Sequence, residues 1–259
     1  MSEPPLLAVR GLTKRYGRRV GCEDVSFDLW PSEVLAVVGE SGSGKSTVLS
    51  CLWGDLAPTG GTISYTARDG SVCDADRLSE AERRVLQRTD WGFVRQNPAD
   101  GLRMGVSAGG NVGERLMAIG TRRYSTLRQA ATDWLERVEI DTGRIDEHPK
   151  NFSGGMRQRL QIARNLVTRP RLLLMDEPTS GLDVSVQARL LDLLRSLTRD
   201  LDLAVVIVTH DLAVARLLSD RILVMQAGIV VEAGLTDQVL DDPQSAHAQL
   251  LVSSVLQVA

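Results

Sequence analysis

The chain has 259 residues, 43% of them apolar, and a formal net charge of −3. No apolar run approaches the roughly 18 to 20 residues of a membrane span, and no export signal opens the sequence. The balance of charge argues against broad nucleic-acid binding, which needs a concentrated basic face. The three cysteines, Cys22, Cys51 and Cys73, lack the CxxC spacing of a metal or redox site. These features predict a globular cytoplasmic protein with reduced cysteines.

The first third of the chain alternates between predicted strands and helices. "LLAVRGLTKRYG" and "CEDVSFDLW" predict two strands of a small antiparallel sheet, and the apolar run "EVLAVVG" predicts a strand buried on both faces. A helix should follow, ending at Gly54, and then the strand "GGTISYTA". Ser79 and Glu82 form a capping box that opens a helix over 78–89, before the strand "WGFVRQ".

Helical periodicity dominates from about residue 98 to residue 168, and strand–helix alternation then returns. "RLLLMDEP" and "LAVVIVTH" read as strands, and "RILVMQAGIVVEAG" as a hairpin turning at Ala227-Gly228. The pattern predicts an α/β core formed by 1–97 and 169–259, with an antiparallel subdomain and an inserted helical subdomain.

The segment "GESGSGKST" fits the phosphate-binding pattern G-x-x-x-x-G-K-[ST] in full, between a predicted strand and a predicted helix. Glycines let backbone N–H groups form a nest for phosphate oxygens. Lys45 is expected to reach the β- and γ-phosphates, and the hydroxyl of Ser46 to bind Mg²⁺. The predicted nucleotide contacts are Gly39, Glu40, Ser41, Gly42, Ser43, Gly44, Lys45, Ser46 and Thr47.

The segment "LLLMDEP" places two carboxylates at the end of a buried strand. Asp176 is expected to hold Mg²⁺, and Glu177 to position the attacking water or act as its general base. Gln96, at the end of another strand, is a candidate to bridge Mg²⁺ and the water. A surface glutamine without function is the alternative.

Two further residues are candidates for the same site. His210 ends "LAVVIVTH" at the edge where open α/β sheets bind ligands, so it is expected to contact the γ-phosphate and orient Glu177. Tyr16 in "KRYG" is a candidate to stack on a base. The structural alternatives are a packing histidine and a packed strand aromatic.

A second glycine pair, in "FSGGMRQRL", opens a predicted helix far along the chain from the first phosphate loop. Because one nucleotide needs only one such loop, this segment is expected to act on a second copy. Ser153, Gly154 and Gly155 would then cover the γ-phosphate bound by a partner. That arrangement predicts a head-to-tail dimer with ATP at its two seams.

Taken in chain order, "KRYG", "GESGSGKST", "VRQN", "FSGGMRQR", "LLLMDEP", "SGLD" and "THD" resemble the motifs of ATP-binding-cassette (ABC) ATPases. The resemblance covers nearly the whole chain and implies a P-loop fold, ATP with Mg²⁺, ATP hydrolysis and dimerisation. It identifies the segment from Ser153 to Gln158 with the signature motif and that from Ser180 to Asp183 with the D-loop. Phe152 departs mildly from the usual leucine.

Within that family, "NPADGLRMGVSAGGNVGERLMAIG" resembles the ATP-binding subunits of bacterial carbon–phosphorus lyase systems. This likeness implies a soluble enzyme core as partner, docked on residues of about 98–116. The C-terminal "VVEAGLTDQVLDDP" is instead similar to the motor subunits of peptide importers, whose partners are membrane permeases. A DNA-repair ATPase is a third reading, but the chain between Lys45 and Ser153 is too short for the coiled coil of that class.

Overall fold

The computed structural model describes residues 4–256, which form two compact units. The first unit contains the residues up to Arg83 and those from Asp202 onward, and the second runs from Arg84 to Leu201. The predicted domain spans 1–259. Both of its ends therefore fall in residues outside the described range, which are 1–3 and 257–259. The predicted limits of the helical subdomain, near 98 and 168, stay a prediction.

Short runs of strands and helices follow one another along the chain. Up to residue 89 they are β1 (Leu7–Tyr16), β2 (Arg19–Leu29), β3 (Val34–Val38), α1 (Lys45–Trp53), β4 (Gly60–Thr66), β5 (Val72–Asp74) and α2 (Glu80–Thr89). The next seven are β6 (Trp91–Val94), α3 (Pro98–Gly101), α4 (Ala108–Ala118), α5 (Tyr124–Arg137), α6 (Gly154–Leu166), β7 (Leu172–Asp176) and α7 (Val184–Asp200). The last six are β8 (Ala204–Thr209), α8 (Leu212–Leu218), β9 (Arg221–Gln226), β10 (Ile229–Leu235), α9 (Thr236–Asp241) and α10 (Ala246–Leu256).

An antiparallel sheet in the first unit has the strand order β2-β1-β4-β5. Its buried side consists of alternate apolar residues, as the period of a strand requires. Val9 lies opposite both Phe27 and Ile63, and all three are buried. The predicted pairing of the first two strands is confirmed, whereas β5 was not predicted because its three residues are too few to show a period.

The parallel strands of the first unit bring two chain segments to one edge. β3 pairs with β8 and β9 in parallel, and every residue of β3 and β8 is buried. The register places Val38 opposite Thr209. The segments that begin at Gly39 and His210 therefore leave the sheet side by side.

β9 and β10 form the predicted hairpin, and its turn is at Ala227 and Gly228. Both residues have positive φ, 48° and 92°, as a two-residue turn of the primed type requires. Gly228 is buried, and its N–H donates to the carbonyl oxygen of Ser43 at 3.0 Å. Its own carbonyl oxygen accepts from the N–H of Glu23 at 2.8 Å. The turn is thus tied to the phosphate loop and to β2.

Cys22 on β2 and Cys51 on α1 are buried free thiols, and Cys73 is a half-buried one. A hydrogen bond from the Cys51 thiol to Cys22, together with burial, raises the pKa of Cys51. Cys51 is therefore a protonated, unreactive thiol at neutral pH.

The second unit contains the parallel pair β6 and β7 and the helices α3 to α7. Helix α6 packs against β6, α3, α4, α5 and α7 and is the central helix of this unit. Ser153 and Ser107 cap α6 and α4, since each hydroxyl oxygen accepts a hydrogen bond from the N–H three residues later. No helix within residues 4–256 is both long and apolar enough to cross a bilayer.

Asn111, on α4, is fully buried and holds the loop that precedes this helix. Its Oδ1 accepts from the N–H of Arg103 at 2.8 Å. Its Nδ2 donates to the carbonyl oxygens of Arg103, Val106 and Ser107, each at 3.0 Å. One side chain therefore satisfies four polar backbone groups of a loop that has no regular structure.

Replacing Asn111 with alanine should free this loop and destabilise the second unit by about 1–3 kcal/mol, because buried backbone groups lose their partner. Amide hydrogen exchange of residues 103–108 should be faster than in the wild type. Asn151→Ala removes an exposed amide of the same unit and should leave that exchange unchanged. Unchanged protection of 103–108 in Asn111→Ala would contradict this account of the loop.

Candidate nucleotide-binding site

The loop between β3 and α1 has a backbone that only glycine can form at two positions. Gly39 and Gly44 have φ of 149° and 104°. A Cβ on Gly39 would lie 2.2 Å from the carbonyl oxygen of Met225, and one on Gly44 would lie 2.3 Å from that of Gly21. Both distances are far below van der Waals contact. The loop is therefore pressed between β2 and β9, in the positive-φ conformation from which phosphate-binding nests are built.

Lys45, the first residue of α1, is 6% exposed. Its Nζ donates to the carbonyl oxygens of Gly39 and Glu40, both at 2.8 Å, so the ammonium group lies across the loop. Ser43 Oγ is buried and has no hydrogen-bond partner within residues 4–256. A buried cation, an unsatisfied hydroxyl and the beginning of a helix together fit a bound phosphate group.

A cavity of about 480 Å³ extends from this loop to the antiparallel sheet. Its size is that of a small-molecule site. The lining residues are Tyr16, Arg19, Val20, Gly21, Gly42, Gly44, Lys45, Ser46 and Thr47. Tyr16 is 45% exposed, and Lys14 Nζ lies 5.5 Å from the centre of its ring. The partly exposed ring is thus available for stacking within this cavity.

Gly21 is a residue of this site that the sequence analysis missed. A Cβ there would lie 2.7 Å from Cε2 of Tyr16 and 2.9 Å from Cγ2 of Thr47. The missing side chain therefore lets β2 approach both the aromatic ring and the loop. A glycine inside a strand pattern signals a close approach of this kind, but it does not identify the neighbouring chain segment.

His210 is exposed and follows β8 directly. Asp211 caps the beginning of α8, since its Oδ1 accepts from the N–H groups of Ala213 and Val214 at 2.8 and 3.4 Å. Because Thr209 lies opposite Val38, the histidine is at the same sheet edge as the phosphate loop. The first unit thus brings together Tyr16, the loop and His210.

In the second unit, β7 ends at Asp176, which is half-buried. Glu177 follows with φ of +46°, a conformation that L-residues other than Asn and Asp rarely adopt. The N–H of Ser180 donates to the carbonyl oxygen of Glu177 at 3.1 Å, which closes the turn after the strand. A strained backbone at a predicted catalytic carboxylate is typical of functional sites.

Gln96 lies at the same edge of the second unit. Val94 is opposite Met175 in the β6–β7 pair, so the segments after the two strands run together. Gln96 Nε2 donates to Ser180 Oγ at 3.3 Å. The amide and the two carboxylates of this unit therefore converge on one short edge, and their oxygen atoms are of the type that Mg²⁺ prefers.

The predicted signature residues divide into exposed and buried ones. Ser153 and Gly154 are exposed at the beginning of α6, whereas Gly155 is buried, and a Cβ there would lie 2.5 Å from Cγ1 of Val186. Gln158 is only 1% exposed, and its Oε1 accepts from a neighbouring amide inside the unit. The surface where Ser153 lies therefore does not include the Gln158 side chain. Asp183 is exposed and lies directly before α7.

Comparison with known proteins gives a consistent result. The family model described as ABC transporter matches residues 22–180. PhnK of Escherichia coli strain K12, a phosphonates utilization ATP-binding protein, is 64% identical over 98% of each chain. DppD of Bacillus subtilis strain 168, a dipeptide transport ATP-binding protein, is 37% identical over 93% of this chain and 72% of its own.

Solved structures agree with these relatives. The ATP-binding cassette MJ0796, in a dimeric post-hydrolysis state bound to ADP and Pi, superposes with a TM-score of 0.78 at 28% identity and covers 89% of this chain and 98% of its own. The protein cbiO1 of Clostridium perfringens gives a TM-score of 0.80 at 28% identity, over 93% and 92% of the two chains.

These matches confirm the predicted fold, a P-loop cassette with an antiparallel subdomain and a helical subdomain. The family of the chain follows from two findings. The family model matches more than half of the chain, and one relative is 64% identical to it. The chain belongs to the ABC transporter family, and it is an ATP-binding ATPase of the cassette type.

Proposed function

We propose that the chain is the ATP-hydrolysing subunit of a cytoplasmic carbon–phosphorus lyase complex that degrades phosphonates. The observation that carries this proposal is the 64% identity, over 98% of both chains, to a relative named for phosphonates utilization. Resemblance of residues 98–116 to the subunits of lyase systems supports it. In this proposal the ATP cycle remodels a soluble enzyme core.

Residues of the first unit hold the nucleotide in this proposal. Tyr16 stacks on the adenine, and the backbone of the loop from Gly39 to Thr47 cradles the phosphates. Lys45 compensates the charge of the β- and γ-phosphates, since its buried Nζ already lies across the loop. His210 donates a hydrogen bond to the γ-phosphate and orients the Glu177 carboxylate.

Residues of the second unit prepare the water for attack. Glu177 accepts the proton of the attacking water, or fixes the water by a hydrogen bond, at its carboxylate. Gln96 positions the same water through its side-chain amide. Ser46, Gln96 and Asp176 offer the oxygen ligands for Mg²⁺, which neutralises charge on the phosphates when it is bound.

Two copies form a head-to-tail dimer in this proposal. The exposed Ser153 and Gly154 of one copy cover the γ-phosphate on the other, with the beginning of α6 directed to it. Gly155 supports them by its close packing on Val186, and Asp183 lies at the seam. Because Gln158 is buried, it acts within its own chain rather than at the nucleotide. The dimeric state of the similar cassette MJ0796 supports this arrangement.

The helical subdomain, at about 98–168, provides the docking surface in this proposal. A cavity of about 170 Å³ lies beside α4, lined partly by Gly109, Gly110 and Gly113. Met117 and Tyr124 also line it, and they are 47% and 71% exposed. The glycines leave a depression between exposed apolar side chains, which suits a partner's apolar residues.

A second candidate function is the motor subunit of a peptide importer. The 37% identity to a dipeptide transport protein favours it. The ATP chemistry is the same, and the partners would be membrane permeases.

An affinity pull-down of the tagged Glu177→Gln chain with ATP, read by mass spectrometry, separates the two functions. Lyase subunits in the eluate support the first function, whereas permeases would overturn it, and a Lys45→Ala bait controls for ATP dependence.

Lys45→Ala should lower ATP affinity at least about tenfold, because the phosphates lose a charge-assisted contact. Titration with a fluorescent ATP analogue measures the change. Lys150→Ala makes the same change at an exposed lysine of the second unit and should leave the affinity unaltered. Wild-type affinity in Lys45→Ala would exclude this loop as the phosphate site.

Glu177→Gln should retain ATP binding and slow hydrolysis by about 10²-fold or more, because the amide cannot take a proton from water. The unhydrolysed ATP should trap the dimer, visible as an earlier elution volume in size-exclusion chromatography with ATP and Mg²⁺. Glu136→Gln, on the exposed side of α5, is the control and should behave as wild type. A Glu177→Gln chain that binds ATP yet stays monomeric at high concentration would contradict the dimer.

Exchanging residues 98–116 for the matching segment of a dipeptide importer subunit should abolish co-purification with the lyase core and spare ATP binding. The segment belongs to the second unit, whereas the phosphate loop belongs to the first. Exchange of the exposed turn at 67–71 is the control. Retained association after the 98–116 exchange would show that another surface docks the core.

A further inference from the structure

Helix α6 carries three buried amide side chains along one side. Gln158, Gln161 and Asn165 are 1%, 0% and 7% exposed. They are spaced by three and four residues, so they lie above one another on the helix. A buried amide is costly unless it is hydrogen bonded. Their partners therefore show what this side of the helix holds in place.

Gln161 pairs with both polar backbone groups of one residue. Its Oε1 accepts from the N–H of Arg95 at 2.6 Å, and its Nε2 donates to the carbonyl oxygen of Arg95 at 3.2 Å. The same Nε2 donates to Oε1 of Gln158 at 3.2 Å. The side-chain amide thus takes the place that a peptide group of a neighbouring strand would have beside β6.

Asn165, one helical turn later, holds one N–H group inside the strand. Its Oδ1 accepts from the N–H of Phe93 at 3.0 Å, and its Nδ2 donates to the carbonyl oxygen of Gln161 at 2.9 Å. Gly92 is closely packed here, since a Cβ on it would lie 2.8 Å from Cδ1 of Leu173 and 3.4 Å from Cβ of Asn165. Two amides of α6 therefore fix the backbone of β6, and Gln161 fixes it next to Gln96.

Gln161 also touches the far end of the segment that carries Gln96. A Cβ on Gly101 would lie 2.4 Å from Gln161 Oε1, so only glycine fits there. The chain from Arg95 to Gly101 begins and ends against this one amide. Gln96, at the beginning of that segment, has limited freedom to move away from α6.

Hydrogen bonds continue from Gln96 to the backbone of Glu177, the residue with the proposed catalytic carboxylate. Gln96 Nε2 donates to Ser180 Oγ at 3.3 Å, and the N–H of Ser180 donates to the carbonyl oxygen of Glu177 at 3.1 Å. At the other end of α6, Ser153 caps the helix, and Gly155 packs on Val186. The residues that would cover a partner's ATP and those that would activate water are therefore joined within one unit.

We propose that Gln161 is a positioning residue for ATP hydrolysis, which holds Arg95, and through it the amide of Gln96, against the helix that begins at Ser153. The inference rests on the proposed role of Gln96.

A double-mutant cycle on the full chain tests this, with Gln161→Met as the isosteric variant that deletes the hydrogen bonds. Gln161→Met should lower kcat roughly tenfold and leave ATP affinity unchanged, since displaced catalytic groups cost up to about 10²-fold. In the Gln96→Ala background the same change should have almost no further effect, because both act through one group. Independent, multiplicative effects on kcat would overturn the proposal.

Asn165→Leu is the matched control. It removes a buried amide from the same helix without a large change of shape, but this amide is hydrogen bonded to Phe93 in the strand and not to Arg95. It should lower the melting temperature as Gln161→Met does and leave kcat near wild type. Equal losses of kcat in the two variants would reduce Gln161 to a structural role. If Gln161→Met does not fold, Gln161→Glu, which keeps the acceptor toward Arg95, enters the same cycle.

Binding of Mn²⁺ to the ATP-bound chain, followed by electron paramagnetic resonance, gives a readout independent of turnover. Gln161→Met should weaken this binding several-fold and Asn165→Leu should not. Of these two residues, only Gln161 is proposed to position the Gln96 side-chain amide, which is the proposed metal ligand. Unchanged Mn²⁺ binding in Gln161→Met would count against the proposal. If Gln96→Ala itself alters neither kcat nor Mn²⁺ binding, the proposed role of Gln96 fails instead, and the two failures are thus distinguishable.

Discussion

The nucleotide site depends on close contact between backbone segments that leave no space for side chains. Gly44 lies against the carbonyl oxygen of Gly21, and Gly39 against that of Met225. These contacts hold the loop in a positive-φ conformation before any ligand binds. The carbonyl oxygens of the loop already hold Lys45. Binding therefore needs little reorganisation of the backbone, which is the condition for strong electrostatic stabilisation of phosphates.

The second unit achieves the same rigidity by a different means. Here side-chain amides of α6 satisfy the backbone of β6, where a sheet would ordinarily need another strand. As a result, a helix rather than a strand lies beside Gln96. A helix moves as a rigid rod, so displacement at its exposed beginning is carried to residues one or two turns away. A further strand would have fixed Gln96 without linking it to Ser153.

Local patterns predicted the parts of the fold that depend on local physics. The capping box of Ser79 and Glu82 is present, with Ser79 N–H donating to the Glu82 carboxylate at 2.9 Å, and α1 ends at Gly54 as expected. Helices α9 and α10 were missed because weak periodicity hid them. The burial of Gln158 was missed for another reason: helical spacing shows which residues share a face but not whether a neighbouring strand covers polar ones. Fitting Gly21 into the site likewise required knowledge of its spatial neighbours.

The hairpin turn at Ala227-Gly228 changes how the chain can be engineered. Exposed tips of hairpins are ordinarily the preferred places for insertions, tags and new chain termini. Here Gly228 is hydrogen bonded to Ser43 of the phosphate loop and to Glu23 of β2. In addition, a Cβ on Gly44 would lie 3.3 Å from the Cα of Gly228. A fluorescent tag or a circular permutation at this turn would therefore reach the nucleotide loop directly. The exposed turn at 67–71, between β4 and β5, has no such tie to the loop and is the better place for a reporter group.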